Sequence, residues 1–342
     1  MITDHVSRRG TAVLDVLRAD DRFSDWLKGL EASDAAAGST PEVKLPTAEE
    51  LIEPLADLAV PHEDVAPLLA VARQLTDDPE AMALLGRCVR AVTRDFGDVE
   101  TRADLPDLPA SLGALGRCFY ILVFVAALPL VRAHHRELGI PEEISRHTLA
   151  DLGRHLAVHR RRTGTTGLLV PRWIRLHFHG ELYQLGRLQF QRVRAGRKAR
   201  ALAAAEGVTL TEAARLLSVH IPDFLGPLTP AACDLSFDRA REFFARYYPR
   251  EEYRAFACYS WLLDPQLRRY LPAESNVVRF QERFRSMGAV SEPDDQAPVG
   301  FVFGDTELDP LKLPRRTGME RAVGDHLRAG GHWYVGRGWF PY

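Results

Sequence analysis

The pattern of apolar residues changes near Thr163, and that change limits the folds open to the chain. Before it, apolar residues recur at i, i+3 and i+4, the spacing of one helix face. "HEDVAPLLAVARQLT", "PEAMALLGRCVRAVTRDF" and "LPASLGALGRCFYILVFVAALPLVRAHHREL" all read this way. "TAEELIEPLADLAV" opens with Thr47 as a cap and acidic residues in the first turn, as helix starts prefer. "PEEISRHTLADLGRHLAVHRRRTG" ends the series with basic residues that suit a helix C-terminus. After the breaker cluster "TGTTG" the runs alternate with period two. At 342 residues the chain is long for one core, so two domains are expected. The class is α+β, with a helical domain over 1–165 and a mixed α/β domain over 166–342.

The second domain opens with two strand-like runs meeting at Gly180, "LLVPRWIRLHFHG" and "ELYQLGRLQFQRV". The apolar phase slips within the second run, and a bulge at Gly186 would account for it. A helical stretch "VTLTEAARL" and a strand "LLSVHIP" follow, then the loop "DFLGPLTP" and the helix "AACDLSFDRAREFFARYYP". The remainder reads as a strand "YRAFACYSWLL", a helix around "SNVVRFQERFRSM", a strand "VGFVFG", a helix "GMERAVGDHLRAG" and a final strand "HWYVGRGWF". No G-x-G-x-x-G or G-x-x-x-x-G-K-[ST] follows a strand, which removes dinucleotide and P-loop readings.

In the first of those runs, period two sets Arg175, His177, His179 and Glu181 on one face and Ile174, Leu176 and Phe178 on the other. The polar face has three readings: a metal site, a cleft wall, or a solvated surface. No third metal ligand is signalled nearby. His155 and His159 stand i, i+4 without the Glu of H-E-x-x-H, and Arg160, Arg161 and Arg162 would repel a cation. His134–His135 reads as a basic helix end, and the basic run Arg192, Arg194, Arg197, Lys198, Arg200 either contacts phosphates or, the simpler reading, is a solvated turn. No bound metal is expected.

Net charge is −2, so nothing favours nucleic acid or an anionic membrane as a partner. The most apolar run, Phe119 to Val131, is too short to span a bilayer and contains Pro129, so it reads as a buried core helix. Cys88, Cys118, Cys233 and Cys258 form no C-x-x-C pair. Free thiols in a reducing cytoplasm are the simplest reading. There is no G-x-S-x-G elbow; Ser260 lies within a strand, and Cys258 reads as a small buried hydrophobe. In "SVHIPDFLGPLTPAACD", Thr229 is a good cap and Pro230 fits the first helical position. A helix start after a glycine loop offers N–H groups to an anion. His220 ends the strand before it, where a side chain reaches a cleft or satisfies a partner within the sheet.

Four strings carry a family resemblance: "WIRLHFHGELYQLGRLQFQ", "HIPDFLGPLTPAACD", "YSWLLDPQLRRYLPAESNVVRFQERF" and "RAGGHWYVGRGWF". With the helical first half they resemble bacterial, largely actinobacterial, acyltransferase domain-containing proteins. These join an N-acyltransferase N-terminal helical domain to a C-terminal domain similar to GCN5-related N-acetyltransferases (GNAT). The resemblance implies a mostly antiparallel sheet with one splayed parallel pair, "LLSVHIP" and "YRAFACYSWLL", and a thioester lying in the wedge. It implies "DFLGPLT" as the pyrophosphate loop, with Val219, Ile221, Gly226, Leu228 and Thr229 as donor-binding positions. His220 would be the base, with Glu181 second, Tyr259 the acid for the leaving thiolate, and His177 and His179 cleft-lining groups. The implied activity moves an acyl group from a CoA or acyl-carrier-protein thioester to a small amine or peptide acceptor. No tightly bound cofactor is implied. The usual Q/R-x-x-G-x-G/A loop is absent: Gly226 is the loop's one glycine, and Pro227 has no N–H. That leaves room for a carrier-protein donor, or for a non-catalytic binding protein that keeps the cleft.

Overall fold

The structure is a computed structural model that describes residues 13–36, 43–100, 103–197, 200, 204, 211–212, 214–289, 292–304 and 309–342. It divides into two units. The first runs to Glu137 and resumes over Leu149–Gly180; the second takes Leu138–Thr148 and Glu181–Tyr342. The division thus falls after Gly180, beyond the change of patterning near Thr163, and an internal segment crosses over.

The first unit is helical: α1 (Val13–Arg18), α2 (Ser24–Ala36), α3 (Ile52–Asp57), α4 (His62–Thr76), α5 (Pro79–Thr93) and α6 (Gly113–Glu137). After α7 (Glu142–Leu149), most of which belongs to the second unit, come α8 (Asp151–Thr163) and α9 (Pro171–Phe178). Local sequence explains the starts. Asp78 accepts the N–H groups of Glu80 and Ala81 at 3.0 and 3.1 Å, and Pro79 stands at the first turn of α5. The Thr47 and Glu50 side chains each take the other's N–H just ahead of α3. Helix α6 is 25 residues long, enough in length and composition to cross a membrane, though the apolar run within it is shorter. Every residue from Cys118 to Leu128 is buried in this unit's core. A helix that is apolar all round is what a core centre requires.

The second unit is a six-stranded sheet in the order β1–β2–β3–β4–β6–β5. Its strands are β1 (Leu182–Leu185), β2 (Leu188–Arg194), β3 (Arg215–His220), β4 (Tyr253–Ser260), β5 (Arg285–Ala289) and β6 (Gly336–Pro341). β3 and β4 are parallel neighbours, and the other pairs are antiparallel. Helix α10 (Pro230–Tyr247) makes the crossover between β3 and β4. Its Phe237, Ala240, Phe243 and Phe244 share one core with Tyr183, Phe190, Leu217, Val219, Phe256 and Cys258. Arg192 enters that face as a charge; it pairs with Glu251 at 3.0 Å and lies 3.8 Å above the Tyr248 ring. Helices α11 (Asn276–Gln281), α12 (Gln296–Phe303) and α13 (Gly318–Arg328) complete the unit.

Several expected elements are corrected. "PRWIRLHF" is helix α9, not a strand. Its buried Ile174 and Phe178 are also an i, i+4 pair, while Leu176 falls off that face, and Pro171 at the first turn decides for the helix. Gly186 is the hairpin turn itself, with φ +82° between Leu185 and Leu188, not a bulge. A positive φ at the first central residue calls for glycine there. "VGFVFG" lies in helix α12, where the Asp294 carboxylate accepts the Ala297 N–H in the first turn and Gly304 at φ +83° ends the helix. The helix read through "SNVVRFQERFRSM" stops at Gln281, and Arg285 begins β5. Residues 208–210 and 213 of "VTLTEAARL" lie outside the described residues, and Arg215 and Leu216 already belong to β3.

Close packing in the first unit generates a prediction. The Gly153 N–H donates to Leu58 O at 3.1 Å, and a Cβ on Gly153 would sit 2.1 Å from Ala59 O. Backbone cannot yield as a side-chain tip can. Gly153→Ala should therefore cost about 2 kcal/mol or more in urea denaturation, at the upper end for overpacked cores. An unchanged midpoint would show that α3 and α8 tolerate separation.

Candidate active site

The site begins where a strand pair ends. β3 and β4 pair in parallel from Arg215↔Tyr253 to Val219↔Cys258 and no further, although β3 continues to His220 and β4 to Ser260. Beyond that point β4 pairs only with β6, at Tyr259↔Arg337 and Ser260↔Gly336. A gap therefore opens between the two central strands.

Side-chain parity sorts what faces the gap. Leu217, Val219, Phe256 and Cys258 point into the core under α10. Leu216, Ala255, Ala257 and Trp339 pack together on the opposite face. Gln189, Gln191, Ser218, His220, Tyr259 and Arg337 alternate onto that second face. His220 is half-buried, and its Nε2 lies 3.1 Å from Gln191 Oε1. Gln191 Oε1 accepts, so His220 Nε2 is the donor in this bond. Tyr259 is 56% exposed, with the Arg337 guanidinium 4.8 Å from its ring centre. Gln191 and Arg337 are functional candidates that sequence reasoning missed, because only strand register sets them beside His220 and Tyr259.

The loop after His220 leads into the capped start of α10. Thr229 accepts the Ala232 N–H on its side chain at 3.2 Å and the Cys233 N–H on its carbonyl at 3.0 Å. Gly226 has φ +78°, so the conformation there favours glycine, and a Cβ would meet nothing within 4 Å. Val219 and Leu228 are buried, and Ile221 reaches the cluster around Trp261 and Trp333. The structure thus brings His220, Tyr259, Val219, Ile221, Gly226, Leu228 and Thr229 to one end of the β3–α10–β4 unit.

The other expected site residues go elsewhere. Glu181 is buried, and its carbonyl takes the Arg192 N–H at 2.8 Å. It stands opposite Arg192 on β2, whereas His220 stands opposite Gln189, so three residues of strand separate them. His177 and His179 are buried in the helical unit and line no cleft of the sheet. His179 Nε2 is 2.8 Å from Arg94 O. His177 Nε2 is 3.1 Å from Asp151 Oδ2, an oxygen that also accepts from Trp173 Nε1 at 3.2 Å. These histidines serve the fold, since helix α9 turns them inward. His159 is likewise buried, 2.9 Å from Thr165 O, and His134, in the last turn of α6 as its basic sequence end suggests, stacks on Phe96 at 4.5 Å. Within the basic run, Arg192 is buried rather than solvated, and Lys198 lies outside the described residues. Cys258 is buried under α10 and its thiol is pushed up to about 12, which suits packing and not nucleophilic chemistry. No cluster of three metal-ligating side chains occurs among the described residues. A groove of about 310 Å³ lies elsewhere in the second unit, between α7 and the outer side of α10 beside Gly186.

A parallel pair that parts ahead of a loop and a capped helix, in a sheet where β6 lies between β4 and β5, defines a GNAT-like acyltransferase domain. Residues 182–340 match the GNAT-like C-terminal domain, and residues 49–180 match the N-acyltransferase N-terminal domain. Solved structures of an acyltransferase share 35% identity with the chain, cover 97% of it with 99% of their own length, and superpose with a TM-score of 0.84. One is in complex with decanoyl-CoA and teicoplanin, another with CoA and 10C-teicoplanin, and a mutant is in complex with octanoyl-CoA. No curated protein sequence matches. The chain belongs to this family of acyltransferases, which join an N-acyltransferase N-terminal domain to a GNAT-like C-terminal domain.

The relocated histidines generate a pH prediction. Burial pushes His177 down to about 4 from 6.5, with the Asp151 carboxylate pulling the other way. Burial, with His134 and Arg132 nearby, pushes His135 down to about 4 as well. The unfolded chain takes up these protons near pH 6.5, and the folded chain takes them up only near 4. Between those values the unfolded state binds more protons, so stability falls as pH drops and is fully present above about 6.5. Burial alone would raise Asp151, but His177, His155 and Arg154 outweigh it and hold it well below the carboxylate range, adding a loss at lower pH. Urea midpoints at pH 7 and pH 5 should differ clearly; equal midpoints would show these rings to be solvated.

Proposed function

We propose that the protein transfers a fatty acyl chain from acyl-CoA to an amine on a bulky glycopeptide-like acceptor. The observation that carries this reading is the end of β3–β4 pairing at Val219↔Cys258, directly ahead of His220 and the loop into α10. Unpaired strand edges there supply backbone N–H groups to a thioester without disturbing the rest of the sheet. The relatives' decanoyl-CoA, octanoyl-CoA and teicoplanin support the donor and acceptor classes. A carrier-protein thioester has the same reacting group, and the reading extends to it.

The chemistry follows from the placement. The acceptor arrives as an ammonium and must lose a proton before its nitrogen can attack. His220 takes that proton on Nδ1, while Gln191 holds the ring in the tautomer with Nε2 protonated. The amine lone pair then forms the C–N bond, and the carbonyl oxygen becomes an oxyanion. Backbone N–H groups at the parted edges of Val219 to Ile221 stabilise it. Collapse breaks the C–S bond, and the leaving thiolate takes a proton from the Tyr259 hydroxyl. The second proton, lost from the new amide nitrogen, passes to the Tyr259 phenolate, and His220 returns the first proton to solvent, so both groups are restored. The loop from Pro222 to Thr229 receives the donor's phosphates at the start of α10.

His220→Ala should keep donor binding nearly intact and lower single-turnover transfer by about 10²-fold or more, the scale of general-base removal. Gln191→Leu should cost about tenfold, the equivalent of one hydrogen bond to the ring. The assay follows CoA thiol release from decanoyl-CoA with a glycopeptide amine as acceptor, beside a melting curve on each sample. A stably folded His220→Ala protein with unaltered turnover would dismiss His220 as the base.

A further inference from the structure

We propose that Arg187, in the turn of the β1–β2 hairpin, is a positioning residue for the acyl donor: it staples the donor loop from outside and does the work that a glycine-rich sequence does elsewhere. The proposal rests on the functional reading above. Three observations carry it.

The first is the reach of the side chain. Arg187 Nε donates to Gly226 O at 2.9 Å, and its Nη1 donates to Pro222 O at 2.9 Å. One planar guanidinium thus grips both ends of the segment Pro222–Gly226. Five donors in a fixed fork make arginine suited to this, and lysine cannot span two carbonyls with the same rigidity. With the Pro222 carbonyl drawn toward the hairpin, the Asp223 N–H of the same planar peptide points the other way.

The second is the anchoring of the arginine itself. Arg187 N–H donates to Ser236 Oγ at 2.8 Å, and that hydroxyl donates to Ala232 O at 2.8 Å in α10. Gly186 is held against the same serine: a Cβ there would lie 2.9 Å from Ser236 Oγ, and its φ is +82°. The hairpin turn, the helix and the loop are therefore joined at one point, and Ser236 is fully buried.

The third is the conformation being held. Phe224, inside the stapled segment, has φ +60°, a region that bulky residues rarely adopt. Its side chain is 58% exposed, so packing of the ring does not account for the strain. Backbone strain of this kind persists only where surrounding bonds over-determine it. The staple supplies such bonds, and the loop meets the donor already in shape, which lowers the ordering cost of binding.

The test compares wild type with Arg187→Met, which keeps the length of the side chain, and Arg187→Lys, which keeps the charge. CoA and decanoyl-CoA affinities are measured by calorimetry, alongside KM for donor and acceptor, kcat, and hydrogen exchange of the amides at 223–228. Arg187→Met should weaken donor binding and raise donor KM by about tenfold or more, with acceptor KM and kcat at saturating donor nearly unchanged. Exchange at 223–228 should quicken while the amides of β2 and β3 stay protected. Arg187→Lys should behave like Arg187→Met. Restoration of donor affinity by lysine would overturn the proposal, since charge near the phosphates would then be the whole effect. Unaltered donor affinity in a folded Arg187→Met protein would also overturn it. If Arg187→Met fails to fold, Phe224→Gly decides: relief of the strained backbone should leave the loop more mobile in exchange and donor binding weaker, and tighter binding would overturn the staple. Wild-type protein that binds no CoA would instead sink the functional reading, and this role with it.

Discussion

The parallel pairing of β3 with β4 is the constraint on which the second unit turns. It requires a crossover, and α10 provides it, laying Phe237, Phe243 and Phe244 over one face of the sheet. It also has to end somewhere. It ends one residue before His220, while β4 stays paired to β6 on its other edge. Both strands keep their outer partners beside the gap, β3 through Gln189↔His220 and β4 through Ser260↔Gly336, so only the edges that face each other are unpaired. Rigid support with exposed backbone edges is the arrangement that thioester chemistry needs.

The two ends of this unit hold different kinds of polar group. At the open end, Gln191, His220 and Tyr259 lie on the face away from α10 and reach partial or full exposure. At the opposite end, Arg192, Glu251, Tyr253, Tyr248 and Tyr183 are linked by hydrogen bonds where α10 finishes. Arg192 lies among core residues, and a charge there is tolerable only because a carboxylate and an aromatic face meet it. One end is closed by mutually bonded polar groups, and the other leaves its polar groups nearer to solvent.

Much of this was legible in the sequence, for reasons specific to each element. Thr229 and Pro230 announced the start of α10, and a capped helix after a strand fixed the crossover. "LLSVHIP" and "YRAFACYSWLL" were apolar enough to be central strands, and they are the parallel neighbours. The stretch from Pro171 to Phe178 was misread because eight residues satisfy period two and period 3.6 nearly equally. That one error misplaced His177 and His179, whose partners Asp151 and Arg94 are remote in sequence. Glu181 was misassigned with them, because its face followed from the wrong strand. Gln191 and Arg187 were invisible for the opposite reason: each is ordinary in its own strand or turn, and only the register with β3 and the path of the following loop give it a partner.

The segment Leu138–Thr148 belongs to the sheet unit although helical residues of the other unit both precede and follow it. Ile140 is buried with Tyr183, Phe190 and Phe243, and the Thr148 hydroxyl accepts the Gln184 N–H at 3.1 Å. The backbone consequently passes between the units three times, after Glu137, after Thr148 and after Gly180. During synthesis Ile140 emerges well before β1 and long before α10, so its apolar surface waits for partners made later. Neither unit is a module that one cut can release. A lineage could not exchange the catalytic half by simple recombination at one junction, and this tie would keep the two halves evolving as a single inheritance.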